Sequence, residues 1–213
     1  IKCVVDNTNH PLLMHSLANF YLYGLGTEVN HQLAFEWYSK ASALENLNSL
    51  NSLGDLYLSA VGVEEDILKA YNAYYKAAEL GNPSGMNSLG NFYHKGFIVE
   101  KNHDKAYSLY KAAAMLNYGP AMYNLGTYYL KGLVIDKNNK EAFYWIHKSA
   151  QHGHSDAMVH LVQLYQNGIG VDENAEAAEK WWHESDKFFL NRGYTNPQDD
   201  LVSNLLSVEG PSQ

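Results

Sequence analysis

Five alanines, Ala34, Ala70, Ala106, Ala142 and Ala178, recur every 36 residues along this 213-residue chain. Leu17, Leu53, Leu89, Leu125 and Leu161 keep the same interval, as do Tyr21, Tyr57, Tyr93, Tyr129 and Tyr165. A register held at that period excludes a chain wrapped around one central core. It requires one supersecondary unit repeated and stacked, each copy burying its apolar face against its neighbours. Aligned on the alanines, the repeats run 11–46, 47–82, 83–118, 119–154 and 155–190.

Each repeat carries two helical patterns. In the third, Met86, Leu89, Gly90 and Tyr93 fall at i, i+3, i+4 and i+7, one face of a helix, and Ala106, Leu109, Tyr110 and Ala113 follow with the same spacing. Pro83 and Pro120 stand early in first helices, where a missing N–H costs little. Gly81 and Gly153 follow second helices as C-caps. First helices end near Gly24, Gly96, Gly132 and Gly168, while Ala60 replaces the glycine of the second repeat and predicts a different turn there. A small residue follows the repeat leucine at Ala18, Gly54, Gly90 and Gly126. Glycine inside a helix costs about 1 kcal/mol relative to alanine, so these positions predict a closely approaching partner helix. Val162 breaks the pattern and predicts looser packing of the last pair.

Composition narrows the partners. A net charge of −8 and a single arginine, Arg192, argue against binding to a phosphate backbone and against bidentate capture of phosphate groups. Cys3 is the sole cysteine, which excludes an intramolecular disulfide framework and any cysteine-based zinc cluster. It fits a reducing compartment, with bacterial export or delivery to a host left open. No run of about 18 apolar residues is long enough to span a membrane. Extending the register backwards puts Ile1 where Trp37 sits, so residues 1–10 read as the end of a preceding helix or an N-terminal cap, and the array as part of a longer one.

In the fourth repeat Gly119-Pro120-Ala121-Met122, Leu125-Gly126, Tyr129, Gly132, Asp136, Ala142, Trp145 and Lys148-Ser149-Ala150 form a motif. In the second, Gly62-Val63, Asp66, Lys69-Ala70 and Lys76-Ala77-Ala78-Glu79-Leu80-Gly81 do so. Over residues 11–190 this pattern resembles the Sel-one-like repeat (SLR) family, relatives of the tetratricopeptide repeats. Ile98 and Val134 depart from it at the second turn glycine, and Ala112 at the usual lysine. The resemblance implies an all-α, right-handed superhelical α-solenoid of five antiparallel helix pairs, with first helices lining a concave side. It also implies a noncatalytic protein–protein interaction scaffold, or alternatively a regulatory or substrate-targeting region of a larger enzyme. Protein or peptide partners are expected, and neither nucleic acid nor a cofactor.

If Leu17, Tyr21 and their equivalents face the core, the concave side receives His15, Asn51, Asn87, Tyr123 and Val159, then Asn19, Asp55, Asn91, Thr127 and Gln163. Side-chain amides both donate and accept, so such a ladder could pair with an extended peptide, and Leu22, Leu58, His94 and Leu130 could add selective pockets. The same residues also suit a plain solvated face. Trp37, Trp145 and Trp181 share one repeat position and read as core, whereas Trp182 is hard to bury in the same packing. His152, His154, Asp156 and His160 lie close in sequence without tetrahedral metal-ligand spacing. No metalloprotease, Walker, dinucleotide or nucleophile-elbow motif is present, so no catalytic residue is assigned.

Asn196-Pro197-Gln198-Asp199 reads as an N-cap with a following proline and acid, leading into Leu201, Val202, Leu205 and Leu206. This predicts a short amphipathic helix near 197–208 that covers the end of the stack, with a detachable partner-binding helix as the competing reading. Truncation before Asn196 should therefore lower the melting temperature or cause aggregation; an unchanged monomer in light scattering and thermal melts would contradict a capping role.

Overall fold

A computed structural model of the chain describes residues 10–190. The expected N-terminal helix remnant and the expected helix near 197–208 lie outside the described residues. Within them the chain forms only helices: α1 (Pro11–Tyr23), α2 (His31–Ala43), α3 (Leu47–Ser59), α4 (Ile67–Glu79), α5 (Pro83–Lys95), α6 (His103–Met115), α7 (Gly119–Lys131), α8 (Asn139–Gln151), α9 (Ser155–Gln166) and α10 (Ala175–Leu190). They fall into two compact units, divided between Leu116 and Asn117. In the first, α1 packs on α2, α3 on α4 and α5 on α6, with α2 against α3 and α4 against α5. In the second, α7 packs on α8 and α9 on α10, joined through α8 and α9.

The second helix of every repeat starts the same way. Asn30, Asp66, Asn102, Asn138 and Asn174 each accept a backbone N–H of the first turn, at 2.9 to 3.1 Å. Such a side chain satisfies a donor that has no partner inside the helix. The backbone N–H of each of these residues in turn donates to the carbonyl of the repeat tyrosine, as from Asn30 to Tyr21 at 2.8 Å and from Asn174 to Tyr165 at 3.0 Å. Four asparagines and one aspartate of this chain thus belong to turns closed at both ends.

The glycines that follow the repeat leucine are where the paired helices touch. A Cβ on Gly54 would lie 2.5 Å from the ring of Tyr74, one on Gly90 2.7 Å from Tyr110, and one on Gly126 2.6 Å from Ile146. In the first repeat Ala18 and Tyr38 occupy these places, both buried. The fifth puts Val162 and Trp182 there. Val162 is buried at 4% exposure, so the expected loosening does not extend to that side chain. Trp182 proves to stand in register with Tyr38, Tyr74, Tyr110 and Ile146 and is half-buried, rather than being an outsider beside Trp181.

The turn after α3 corrects the sequence reading. Ala60 adopts φ 53°, ψ 35°, the left-handed conformation of Gly24, Gly96 and Gly132 in the same role. The turn is kept, and the alanine bears the strain of its Cβ. At the second turn position Gly26, Gly62 and Gly170 have positive φ, and a Cβ on Gly62 or Gly170 would strike the carbonyl of His31 or Asn139. Ile98 and Val134, which depart from the repeat pattern at this position, are not among the positive-φ residues, so the backbone there differs from that at Gly26, Gly62 and Gly170.

Ala60→Gly should relieve this strain and stabilise the protein by about 1 kcal/mol, the usual cost of a left-handed non-glycine residue less the entropy of glycine. Urea unfolding would show a raised midpoint with an unchanged slope.

Candidate functional site

The residues predicted to form an amide ladder are held by the tyrosines of the second helices. Tyr38 donates its hydroxyl to Asn19 Oδ1 at 2.5 Å, Tyr74 to Asp55 Oδ1 at 2.6 Å and Tyr110 to Asn91 Oδ1 at 2.7 Å. Each tyrosine seats its ring beside the small residue of the facing helix and reaches the next side chain along. Burial, with a smaller contribution from the neighbouring Tyr23, pushes the Tyr38 phenol up to about 12, so it stays a donor at neutral pH. Asn19, Asp55 and Asn91 are therefore fixed in place on folding. Asn19 and Asn91 keep their amide N–H groups and one lone pair of Oδ1 to offer.

A depression of about 240 Å³ opens in this compact unit, lined by His15, Asn19, Leu22, Tyr38, Asn51 and Asp55 among others. His15 shares a hydrogen bond with Ser49 Oγ at 2.9 Å and tilts against the Tyr38 ring at 5.3 Å. Burial lowers its pKa below the ordinary histidine value of 6.5. Asn51 Nδ2 donates to Asp55 Oδ2 at 3.1 Å, while Asn51 Oδ1 is buried with no hydrogen-bond partner. Asp55 is exposed as a residue, but partial desolvation of its carboxylate outweighs the stabilising hydroxyl of Tyr74 and raises its pKa. Further along, Asn87 is 7% exposed, so its side chain is largely withdrawn from the surface. His94 lies against His103, with ring centroids 5.2 Å apart.

The second compact unit presents the same positions differently. Ile146 stands where the tyrosines stood and has no hydroxyl, and Thr127 turns its own hydroxyl to the carbonyl of Asn124 at 2.7 Å. Tyr123, Asp156, Val159, His160 and Gln163 line a depression of about 330 Å³. The Tyr123 ring is 5.1 Å from that of His154 and 5.8 Å from that of His160. Both histidines have lowered pKa values, chiefly through burial, and Nδ1 of His154 is buried without a partner. His152 turns its Nδ1 to the Lys148 carbonyl of its own helix. Among the described residues, no three histidine, cysteine or acidic side chains converge as a metal site.

One feature escaped the sequence. A depression of about 540 Å³ lies between α8 and α10 over α9, lined by His147, Met158, Tyr165, Lys180, Trp181 and Glu184 among others. His147 meets Trp181 edge-on at 5.5 Å, and Phe143 meets Tyr165 at 5.2 Å. The tryptophan repeat position read as core throughout. Trp37 is 2% exposed and bears that out, but Trp145 and Trp181 are only half-buried.

Stacked helix pairs with no strand among the described residues define an all-α helical repeat solenoid. Its repeats match the Sel1 repeat at residues 11–46, 48–82, 83–118, 119–154 and 155–185, and the chain belongs to that family. It is similar to a Sel1 repeat protein from Oxalobacter formigenes, 27% identical over 85% of this chain and 74% of that one, with a TM-score of 0.78. It is also similar to c5321, a protective antigen present in uropathogenic Escherichia coli strains displaying an SLR fold. There the identity is 27% over 84% of this chain and 38% of that chain, with a TM-score of 0.70. Pseudomonas aeruginosa 5086 is 25% identical over 89% of this chain and 72% of its own length, at a TM-score of 0.63. None of the curated proteins matches the chain. Sel1 repeat proteins are generally protein-interaction scaffolds and typically noncatalytic.

The histidines set a pH dependence. Folded His147, His154 and His160 take up protons less readily than the unfolded chain, so the stability they confer falls as pH drops through their ordinary value of 6.5. The first compact unit has only His15 in that condition, and the raised pKa of Asp55 works the other way, adding stability as pH falls through it. Between pH 7 and pH 5, helices α7 to α10 should lose amide-exchange protection before α1 to α6, once intrinsic exchange rates are corrected. Equal losses would contradict this.

Proposed function

We propose that this protein is a noncatalytic scaffold that binds a protein or an extended peptide segment along the face formed by its first helices, the concave side of the solenoid. The residues it offers are Asn19, Asn51, Asp55, Asn87, Asn91 and His94 in the first compact unit, and Tyr123, Thr127 and Gln163 in the second. The observation that carries the reading is the anchoring of Asn19, Asp55 and Asn91 by Tyr38, Tyr74 and Tyr110. Polar side chains on a solvated face are ordinarily free to rotate, and each must lose that freedom on binding. Here the freedom is already lost on folding, which lowers the entropic cost of engaging a partner. The depressions beside Asp55 in the first compact unit and beside Tyr123 in the second each supply relief for protruding side chains.

A photo-crosslinking amino acid placed at Leu58 or Gln163, both exposed, tests the reading in an extract of the source cells. Controls at Leu68 and Met115 occupy exposed sites on second helices, at 60% and 67% exposure. A discrete adduct from the first pair, absent from the controls and lost in an Asn91→Ala, Tyr123→Ala double variant that retains its melting temperature, is the expected result. Adducts from the controls alone would reject the face.

A further inference from the structure

Asp55 is the one position of its series that carries a charge. Tyr38 and Tyr110 give their hydroxyls to the amide oxygens of Asn19 and Asn91, whereas Tyr74 gives its hydroxyl to a carboxylate. The chain itself therefore shows, twice, that a neutral amide of the same shape meets the structural need. Among the described residues no lysine, arginine or histidine forms an ion pair with Asp55, although four such pairs occur elsewhere. The one titratable base in the depression, His15, is kept from protonating at neutral pH by burial. Asp55 is exposed at the rim of the depression, and partial desolvation raises its pKa in spite of the Tyr74 hydroxyl. The charge is thus one that the helix pairing does not require, a pattern found where side chains serve a ligand.

The surroundings describe what would relieve it. Each Asp55 oxygen already accepts one bond, from Tyr74 and from Asn51, and has a further lone pair to offer. Asn51 Oδ1 is a second acceptor with no donor. The spare lone pairs of Asp55 suit a ligand that donates, and a carboxylate with no cation paired to it suits one that is positive. Leu22 and the exposed Tyr23 ring stand at the wall of the same depression, suited to the methylene stem of a long basic side chain.

We infer that the depression around Asp55 is a specificity pocket for a basic side chain, an arginine or lysine of a protein partner, its cationic head bound by the Asp55 carboxylate and its stem lying along Leu22 and Tyr23. This rests on the reading of the first-helix face as the binding face. The chain's net charge of −8 and its single arginine agree with a basic partner segment. The planar fork of arginine fits two carboxylate lone pairs better than a point charge does, and makes it the stronger of the two ligands.

The test uses N-acetyl-arginine methylamide as the probe and its neutral isostere, N-acetyl-citrulline methylamide, as the control, titrated into the labelled full chain and followed by NMR. Saturable shifts of Asn51, Ser52 and Asp55 by the arginine probe alone are expected. Asp55→Asn should weaken them at least tenfold while leaving the melting temperature unchanged or higher. Equal shifts with citrulline, equal affinity in Asp55→Asn, shifts centred on Asp156, or a lowered melting temperature in Asp55→Asn would each overturn the pocket. If the pocket fails while crosslinks from Leu58 persist, only the basic specificity is wrong; if both fail, the face itself is wrong.

Discussion

The first four helix pairs depend on the seating of one second-helix side chain over a first-helix residue that has little or no side chain of its own. Where that side chain is tyrosine, one contact does two jobs. The ring fills the space left by Gly54 or Gly90, and the hydroxyl reaches past it to fix Asp55 or Asn91. Close packing of the helices and the orientation of polar groups on the first-helix face thus have a common origin. Neither could change without disturbing the other, because a Cβ on the glycine would displace the ring and carry the hydroxyl away from its acceptor.

In the second compact unit the two jobs come apart. Ile146 still packs on Gly126, so the helices still approach, but Thr127 must find its partner within its own helix at Asn124. The aromatic and imidazole rings of Tyr123, His154 and His160 build the surface there instead. One chain thus presents two kinds of surface on one repeated scaffold. The first is made of polar groups anchored by phenols, the second of a tyrosine ring packed tilted and edge-on against two histidines of suppressed basicity.

The repeat, the helices within it and the need for close approach at Gly54, Gly90 and Gly126 could all be read from the sequence, because period and helical spacing are written in residue identity. The positions of the face were legible too, as residues out of phase with the core leucines. Their partners were not. The hydroxyls of Tyr38, Tyr74 and Tyr110 cross from a separate helix, and only its placement shows that they end on Asn19, Asp55 and Asn91. The withdrawal of Asn87 and the half-exposure of Trp145 and Trp181 follow from local packing that a repeat average conceals. The caps are legible as well, since Asn30, Asp66, Asn102, Asn138 and Asn174 keep the same interval as the alanines. The turn at Ala60 was misread because a missing glycine suggests a different bend, whereas the neighbouring contacts hold the old one.

The polar bonds of the first compact unit also come in two spans. Those from tyrosine to the face join residues 19 apart, inside one repeat, while Tyr71 to Tyr93, 22 apart, and His15 to Ser49, 34 apart, cross from one repeat to the next. The bonds inside a repeat travel with it wherever duplication or recombination places it. The crossing bonds record which repeat stands beside which. An array assembled by copying could keep its face from the first day, but its order had to be learned afterwards, one neighbouring pair at a time.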